Sequence, residues 1–411
     1  MKFAHLADCH IGAWRDQKLN DLNALAFNKA LDICNDLKVD FILIAGDLFN
    51  TAYPGIDKLK EITKKLKEIK DANIRVYLIP GSHDFSPTGK TMLDVLEKAG
   101  LAVNVVKGEV INNKLSLHFT LDEPTGVKIT GLLGRKGQLE RKYYEQLILE
   151  DLEQEGGFKI FMFHTSLTEL KPTELEKMES TELSYLPRNF DYYAGGHIHI
   201  VKELSLPGYK NVVYPGPLFP NSFSELEKLQ QGGFYVFEQD EETRKETLVF
   251  TPLRMKNVKN ILKDCAGKDP LRIERELVEE VSAVDVDDQI VLLRLQGRLR
   301  TGKRSDLNLN GVMDVLLDKG AYVVMKNTSN IESDEFDEIK IESTDPVERE
   351  EKIISEHLGQ IPLFQYSQEQ EKKAIQQLLH TLSQQKKDGE TKTEYEKRMK
   401  AAVEEMLDVQ F

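Results

Sequence analysis

Five apolar runs along this chain end on residues of the same chemistry. Residues 3–7 lead into Asp8-Cys9-His10, and residues 41–45 lead into Gly46-Asp47. Residues 74–79 lead into Pro80-Gly81-Ser82-His83-Asp84, residues 158–163 into His164, and residues 191–194 into Gly195-Gly196-His197-Ile198-His199. A short continuous apolar run bounded by turn residues reads as a strand buried on both faces. Leu22, Leu25, Ala26, Ala30, Ile33, Cys34 and Leu37 make a helical stripe between the first two runs. Ile56, Leu59, Ile62, Leu66 and Ile69 make another before the third. The resulting βαβαβ order predicts a parallel sheet with right-handed crossovers. The pattern over residues 88–99 predicts a further helix, with Gly100 as its C-terminal cap.

Strand patterns dominate from residue 101 to 250. Residues 115–119 alternate, and 127–133, 212–214 and 234–237 are short apolar runs, while 139–154 reads as one helix. Residues 1 to about 250 are expected to form a two-sheet α/β sandwich. A small α/β domain is expected over residues 251–343, from helices at 271–281 and 312–318 and strands at 290–295 and 321–325. The acidic stretch 332–342 would be its solvated exit. Residues 344–411 read as a helical tail. Capping-box spacings at Ser367–Gln370 and Thr391–Glu394 open two amphipathic helices, with stripes Ala374, Ile375, Leu378, Leu379, Leu382 and Tyr395, Met399, Ala402, Val403, Met406.

Composition narrows the picture. A length of 411 residues exceeds one ordinary core. The net charge of −14 argues against a protein that is basic all over, although bound cations and a local basic patch would still allow phosphate contact. No segment approaches the roughly 20 apolar residues of a membrane helix. The N-terminus enters a strand directly, so no signal peptide is expected there. Cys9, Cys34 and Cys265 are far apart, with no CxxC pair, and read as free thiols of a reducing cytoplasm.

An isolated histidine is usually structural, and His5 and His118 are assigned to strands on that ground. His357 and His380 fall in the tail, outside the strand-end pattern. The other Asp and His residues share one context five times over: the carboxyl edge of a parallel sheet, where open α/β folds carry their chemistry. Mixed carboxylate and imidazole ligands suit manganese, iron or zinc. Two such ions about 3.5–4 Å apart can clamp the attacking and leaving oxygens of a phosphoryl transfer. A water between them ionises near neutral pH. A histidine outside the metal shell could protonate the leaving alkoxide, its ring held by a neighbouring acid.

The order D-x-H, G-D, G-[NS]-H-[DE], H and G-H-x-H resembles that of the calcineurin-like metallophosphoesterases. Residues 1–12, MKFAHLADCHIG, and 45–49, AGDLF, are similar to the nuclease subunit of the double-strand-break repair complex, the Mre-eleven/SbcD family. The motif match covers residues 1 to about 240; beyond that only the three-part layout supports it. The resemblance implies two divalent ions, manganese foremost. Asp8, His10 and His199 would hold one, His164 and His197 the other, and Asp47 would bridge them. His83 would assist the leaving 3′ oxygen, with Asp84 supporting it. Ser82 stands at a ligand position where the family usually has Asn, and a hydroxyl is the weaker donor to a cation. The resemblance further implies DNA as substrate, cleaved as a 3′-to-5′ exonuclease and single-strand endonuclease. It implies a homodimer through helices at residues 55–70 and 88–99, a coiled-coil ATPase partner of the Rad-fifty/SbcC type on the tail, and a prokaryotic, nucleoid-associated setting in the cytoplasm. Arg294, Arg298, Arg300, Lys303 and Arg304 form an acid-free stretch that could meet DNA phosphates. A phosphodiesterase for small molecules, or a weakly active scaffold for the ATPase, is the alternative reading.

Overall fold

The computed structural model describes residues 1–86, 91–171, 179–333, 368–384, 390 and 392–407. It opens with β1 (Lys2–Leu6), α1 (Gln17–Asp36), β2 (Phe41–Ala45), α2 (Ile56–Asp71), β3 (Arg75–Ile79), α3 (Met92–Lys98) and β4 (Val103–Asn104). Asp16 caps α1 by accepting the Leu19 N–H at 3.0 Å. At α3 the Thr91 N–H is received by Asp94 Oδ2 at 2.8 Å. Gly100, at φ +65°, follows that helix in the left-handed conformation that ends it. The hairpin β5 (Gly108–Ile111) and β6 (Lys114–Leu117) leads to β7 (Thr120–Asp122), β8 (Val127–Gly131), α4 (Arg141–Glu145) and α5 (Glu150–Gln154). The expected single helix over 139–154 is therefore two short ones. They are parted because the chain between them pairs with Leu115, which donates to Gln146 O at 2.8 Å and accepts from Ile148 N at 2.9 Å. Next come β9 (Lys159–His164), β10 (Tyr192–Gly196), β11 (Lys202–Leu206), β12 (Tyr209–Tyr214), α6 (Phe223–Leu229), β13 (Gly232–Gln239) and β14 (Glu246–Leu253).

These strands build two six-stranded sheets, ordered β14-β13-β1-β2-β3-β4 and β11-β12-β10-β9-β8-β7. β1, β2, β3 and β4 run parallel, as do β8, β9, β10 and β12. The sheets face each other across a core of Phe3, Phe41, Leu43, Tyr77 and Phe237 against Ile129, Ile160, Met162, Tyr192 and Val213. Phe3 stacks on Phe41 and Phe237 with centroids 5.0 and 4.8 Å apart, and meets the edge of Tyr192. α1, α2 and α3 cover the outer face of the first sheet through Phe27, Leu31, Ile62, Leu66 and Leu96. His5 lies wholly inside, with Nδ1 3.0 Å from the Tyr192 hydroxyl, and burial pushes its pKa down to about 3. It is a structural histidine, as its strand context suggests. His118 lies between β6 and β7, 3.5 Å from Glu109.

The second domain adds β15 (Val258–Asp264), α7 (Pro270–Ala283), β16 (Ile290–Leu299), α8 (Asn310–Asp318) and β17 (Val323–Ser333). β15 escapes the sequence pattern because it is an edge strand with only Ile261 fully buried. The three strands are parallel, in the order β15-β16-β17. α7 and α8 pack on one face through Ile273, Leu277, Val281, Val312 and Leu316. The opposite face presents Ile290, Leu292 and Val323 to Leu19, Leu22 and Ala26 of α1 and to Leu226 of α6. This shared apolar layer makes residues Met1–Glu335 one compact unit. The expected boundary at 343/344, and the acidic connection beyond residue 333, lie outside the described residues.

In the second unit, α9 (Gln368–Leu382) and α10 (Lys392–Leu407) form a helical hairpin. The Tyr395 hydroxyl donates to Gln384 O at 3.1 Å, and Arg398 pairs with Glu390 at 2.8 Å. Met399 is buried in the hairpin and Leu379 is 42% exposed. The side chains of Leu382 and Met406 lie outside the described residues.

Candidate metal centre

The carboxyl ends of β1, β2, β3, β9 and β10 meet, and they bring all of the strand-end residues together. The backbone is strained there. Asp8, His10, Asp47 and His197 have φ of 49°, 43°, 51° and 94°. Such conformations cost on the order of 1–3 kcal/mol each and persist where surrounding structure dictates them. Here cross-strand bonds do so: Asp8 N to Gly46 O at 3.2 Å and His10 N to Asp47 O at 2.9 Å. Close approach also demands glycine. A Cβ on Gly46, itself at φ +86°, would stand 2.1 Å from His164 Nδ1, and one on Gly81 would stand 2.2 Å from Asp47 Oδ1.

Asp47 is the centre of the constellation. Its Oδ2 lies 3.2 Å from His164 Nε2 and 3.5 Å from His10 Nε2, while Oδ1 accepts the His83 N–H at 2.7 Å. Asp8, His10 and His199 bring ligand atoms within 4.8 Å of one another, as do Asp8, Asp47 and His164. The His83 ring also comes within that distance of His10 and Asp47. His10 Nε2 and His199 Nε2 are 3.1 Å apart. The His197 ring meets that of His164 with centroids 5.2 Å apart, and its backbone N–H donates to Asp8 Oδ1 at 3.0 Å. Ser82 is buried in the turn between Gly81 and His83.

A second layer fixes the rings. His164 Nδ1 donates to Ala45 O at 2.9 Å, and His83 Nδ1 to Asn50 O at 2.8 Å. His199 Nδ1 faces Glu225 Oε1 at 3.0 Å. A donor bond at Nδ1 leaves Nε2 as the lone-pair nitrogen for a cation. The residues fit divalent metal by a further sign. His197 Nε2 is buried without a hydrogen-bond partner, and His164 Nε2 has only the Asp47 carboxylate, at 3.2 Å. Such an orphaned atom is costly, and a cation relieves the cost.

Charge in this pocket is balanced internally. Burial pushes the Asp47 carboxyl up, but His164 and His10 outweigh it and hold it well below the usual carboxylate range. Burial pulls His164 down, but the Asp47 charge carries it up to about 10. Burial likewise opposes protonation of His199, while Asp8 and Glu225 lift it to about 9. His10 and His197 are pressed by burial to about 3.

Two expectations are corrected. Asp84 does not hold the His83 ring. Its carboxylate is fully buried and accepts the N–H groups of Leu48 and Gly81 at 3.1 Å and of Phe49 at 3.0 Å. It staples the Asp47 loop to the Ser82 turn, and Asn50 O orients His83 instead. Burial, then the Asp47 charge, raises Asp84 to about 7. The basic stretch is acid-free only in sequence. Arg294 makes a two-armed pair with Glu227 at 2.6 and 2.7 Å, Arg298 meets Glu332 at 3.1 Å, and Arg300 meets Asp269 at 3.2 Å. Lys303 and Arg304 sit in the turn that follows β16. Glu225 was missed in the sequence. Its only signal there is the Ser222-x-x-Glu225 capping spacing, and Ser222 does cap α6 by accepting the Glu225 N–H at 3.2 Å.

The family model for calcineurin-like phosphoesterases matches residues 1–201, a span that holds every strand-end Asp and His. The chain carries a calcineurin-like phosphoesterase domain. Among curated proteins it is similar to the DNA double-strand break repair protein Mre11 of Archaeoglobus fulgidus, 29% identical over 56% of this chain and 52% of that one. The same-named proteins of Methanopyrus kandleri and Methanococcus maripaludis are 28% and 27% identical. They match over 58% and 57% of this chain, and over 54% and 62% of theirs. The chain thus spans little more than half the length of the relatives it matches. Among the described residues, no helix is long and apolar enough to cross a membrane.

Metal binding to this domain should be linked to proton release. His164 and His199 carry protons at neutral pH in the metal-free site, and a coordinating imidazole must be neutral. Affinity is therefore expected to rise with pH between 6 and 9, with about one proton or more released per metal-loaded site. Calorimetry in buffers of different ionisation enthalpy measures this. A pH-independent affinity with no proton release would contradict the charge balance described above.

Proposed function

We propose that this protein is a manganese-dependent DNA nuclease of double-strand-break repair, with 3′-to-5′ exonuclease and single-strand endonuclease activity. The observation that carries the reading is the placing of Asp47 between His10 and His164, with the buried His197 Nε2 left without a hydrogen-bond partner in the same pocket. Asp8, His10 and His199 would hold one cation. Asp47, His164 and His197 would hold the other, with Ser82 at the edge of its shell. Bound there, two Mn2+ ions would supply Lewis-acid charge and an activated water for attack on a phosphodiester. The names of the archaeal relatives support DNA as the substrate and a role in break repair.

His83 is assigned to the leaving group. The Asn50 carbonyl fixes its Nδ1–H, so Nε2 handles the proton passed to the departing 3′ oxygen. Asp84 keeps that turn in register with the Asp47 loop. Metal titration beside single-turnover cleavage of linear DNA tests these roles. Cleavage should require Mn2+ and stop with chelator. His83→Ala should keep two Mn2+ ions and lose about 10²–10⁴-fold in rate. Ser82→Asn should lower the Mn2+ needed for half-maximal activity. A His83→Ala protein that has lost one ion, or a wild type inert toward DNA in Mn2+, would overturn the assignment.

Two assemblies accompany this reading. A homodimer through α2 and α3 is supported by apolar side chains left outside the core: Ile56 is 81% exposed and Val95 53%. Light scattering should give twice the chain mass at micromolar concentration, and a clean monomer would count against it. The hairpin of α9 and α10 is assigned to a coiled-coil ATPase subunit, on the strength of Leu379, Ile375 and Leu378 along one face. Leu379→Glu should abolish co-purification of the ATPase, and unchanged recovery would refute the docking.

A further inference from the structure

Helix α6 is seven residues long, and three consecutive residues in it serve three different partners. Glu225 faces the metal centre: Oε1 lies 3.0 Å from His199 Nδ1, and Oε2 accepts the Asn221 N–H at 2.8 Å. Leu226 is fully buried in the apolar layer between the two domains. Glu227 faces the second domain, where Arg294 of β16 grips it with Nε at 2.6 Å and Nη2 at 2.7 Å. The same guanidinium lies 5.0 Å over the Phe223 ring, and the Glu227 carbonyl accepts from Asn260 of β15 at 3.2 Å. Two residues apart on a helix is about 200° of rotation, so the two carboxylates point to opposite sides.

We infer that α6 is a connector through which seating of the 251–333 domain holds the metal-facing ring of His199, with Glu225, Glu227 and Arg294 as positioning residues. The inference rests on the reading of His199 as a ligand. A helix of about two turns, capped by Ser222 and closed by Gln230 at φ +60°, has little room to flex between two carboxylates only two residues apart. A planar, two-armed arginine pair with side chains only 15% and 26% exposed is the strong kind, and fixes angle as well as distance. Loosening it lets the helix shift, which withdraws Glu225 from Nδ1 and frees the ring to turn. This also explains why Arg294 points into the protein rather than out to a nucleic acid.

Metal-stripped full-length protein titrated with Mn2+ in a calorimeter tests the connection without any cleavage assay. Glu225→Gln is expected to weaken one of the two sites about 10–100-fold, the usual cost of removing a ligand's outer partner. Arg294→Gln touches no ligand, yet is expected to weaken the same site about fivefold or more. Arg294→Lys keeps the charge without the fork and should fall between Arg294→Gln and wild type. The exchanged pair Arg294→Glu with Glu227→Arg should recover most of the loss. By reciprocity, Mn2+ should slow amide exchange in β16 of the wild type. Unchanged Mn2+ affinity in both folded Arg294 variants, equal weakening of both sites, or exchange in β16 indifferent to Mn2+ would each overturn the connection. A wild type that takes up no Mn2+ would instead remove the metal reading beneath it, so the two failures are read apart.

Discussion

The structure depends on keeping one carboxylate ionised inside the protein. Asp47 is 2% exposed at the meeting of two sheets, where an isolated charge would cost several kcal/mol in desolvation. It stays charged because imidazoles from three strands converge on it and the His83 N–H of the neighbouring turn donates to it. Everything nearby serves that arrangement: left-handed backbone at Asp8, His10, Asp47 and His197, glycines where a Cβ would collide, and Asp84 tying two loops together. A site so rich in imidazole and carboxylate, with His197 Nε2 left without a hydrogen-bond partner, is prepared for divalent cations, and that need accounts for why the strain is retained.

The second domain is part of the same arrangement rather than an appendage. Its sheet uses one face for its own helices and the other for α1 and α6, so the two domains share an apolar layer. The Arg294–Glu227 pair sits at the rim of that layer, and α6 carries its effect back to His199. A domain that packs on α6 in this way bears on how firmly the centre would hold a metal.

The central strands and the set of strand-end residues were legible because both signals are local: apolar runs of fixed length, each followed by Asp or His. The roles around them were less so, since they depend on contacts between distant residues. Asn50 orients His83 through a carbonyl, which every residue possesses, so no side chain announced it. Asp84 follows His83 in sequence but bonds backbone 35 and 36 residues away. Arg294 looked unpaired because Glu227 lies 67 residues earlier. The break between α4 and α5 follows from pairing with Leu115, a tertiary contact that overrides helical periodicity.

The most direct test of this account is anomalous diffraction from crystals grown with Mn2+. Two ions about 3.5–4 Å apart are expected. Asp47 should lie between them, Asp8, His10 and His199 on one, His164 and His197 on the other, and His83 on neither. A single ion, or His83 within bonding distance of either metal, would contradict it.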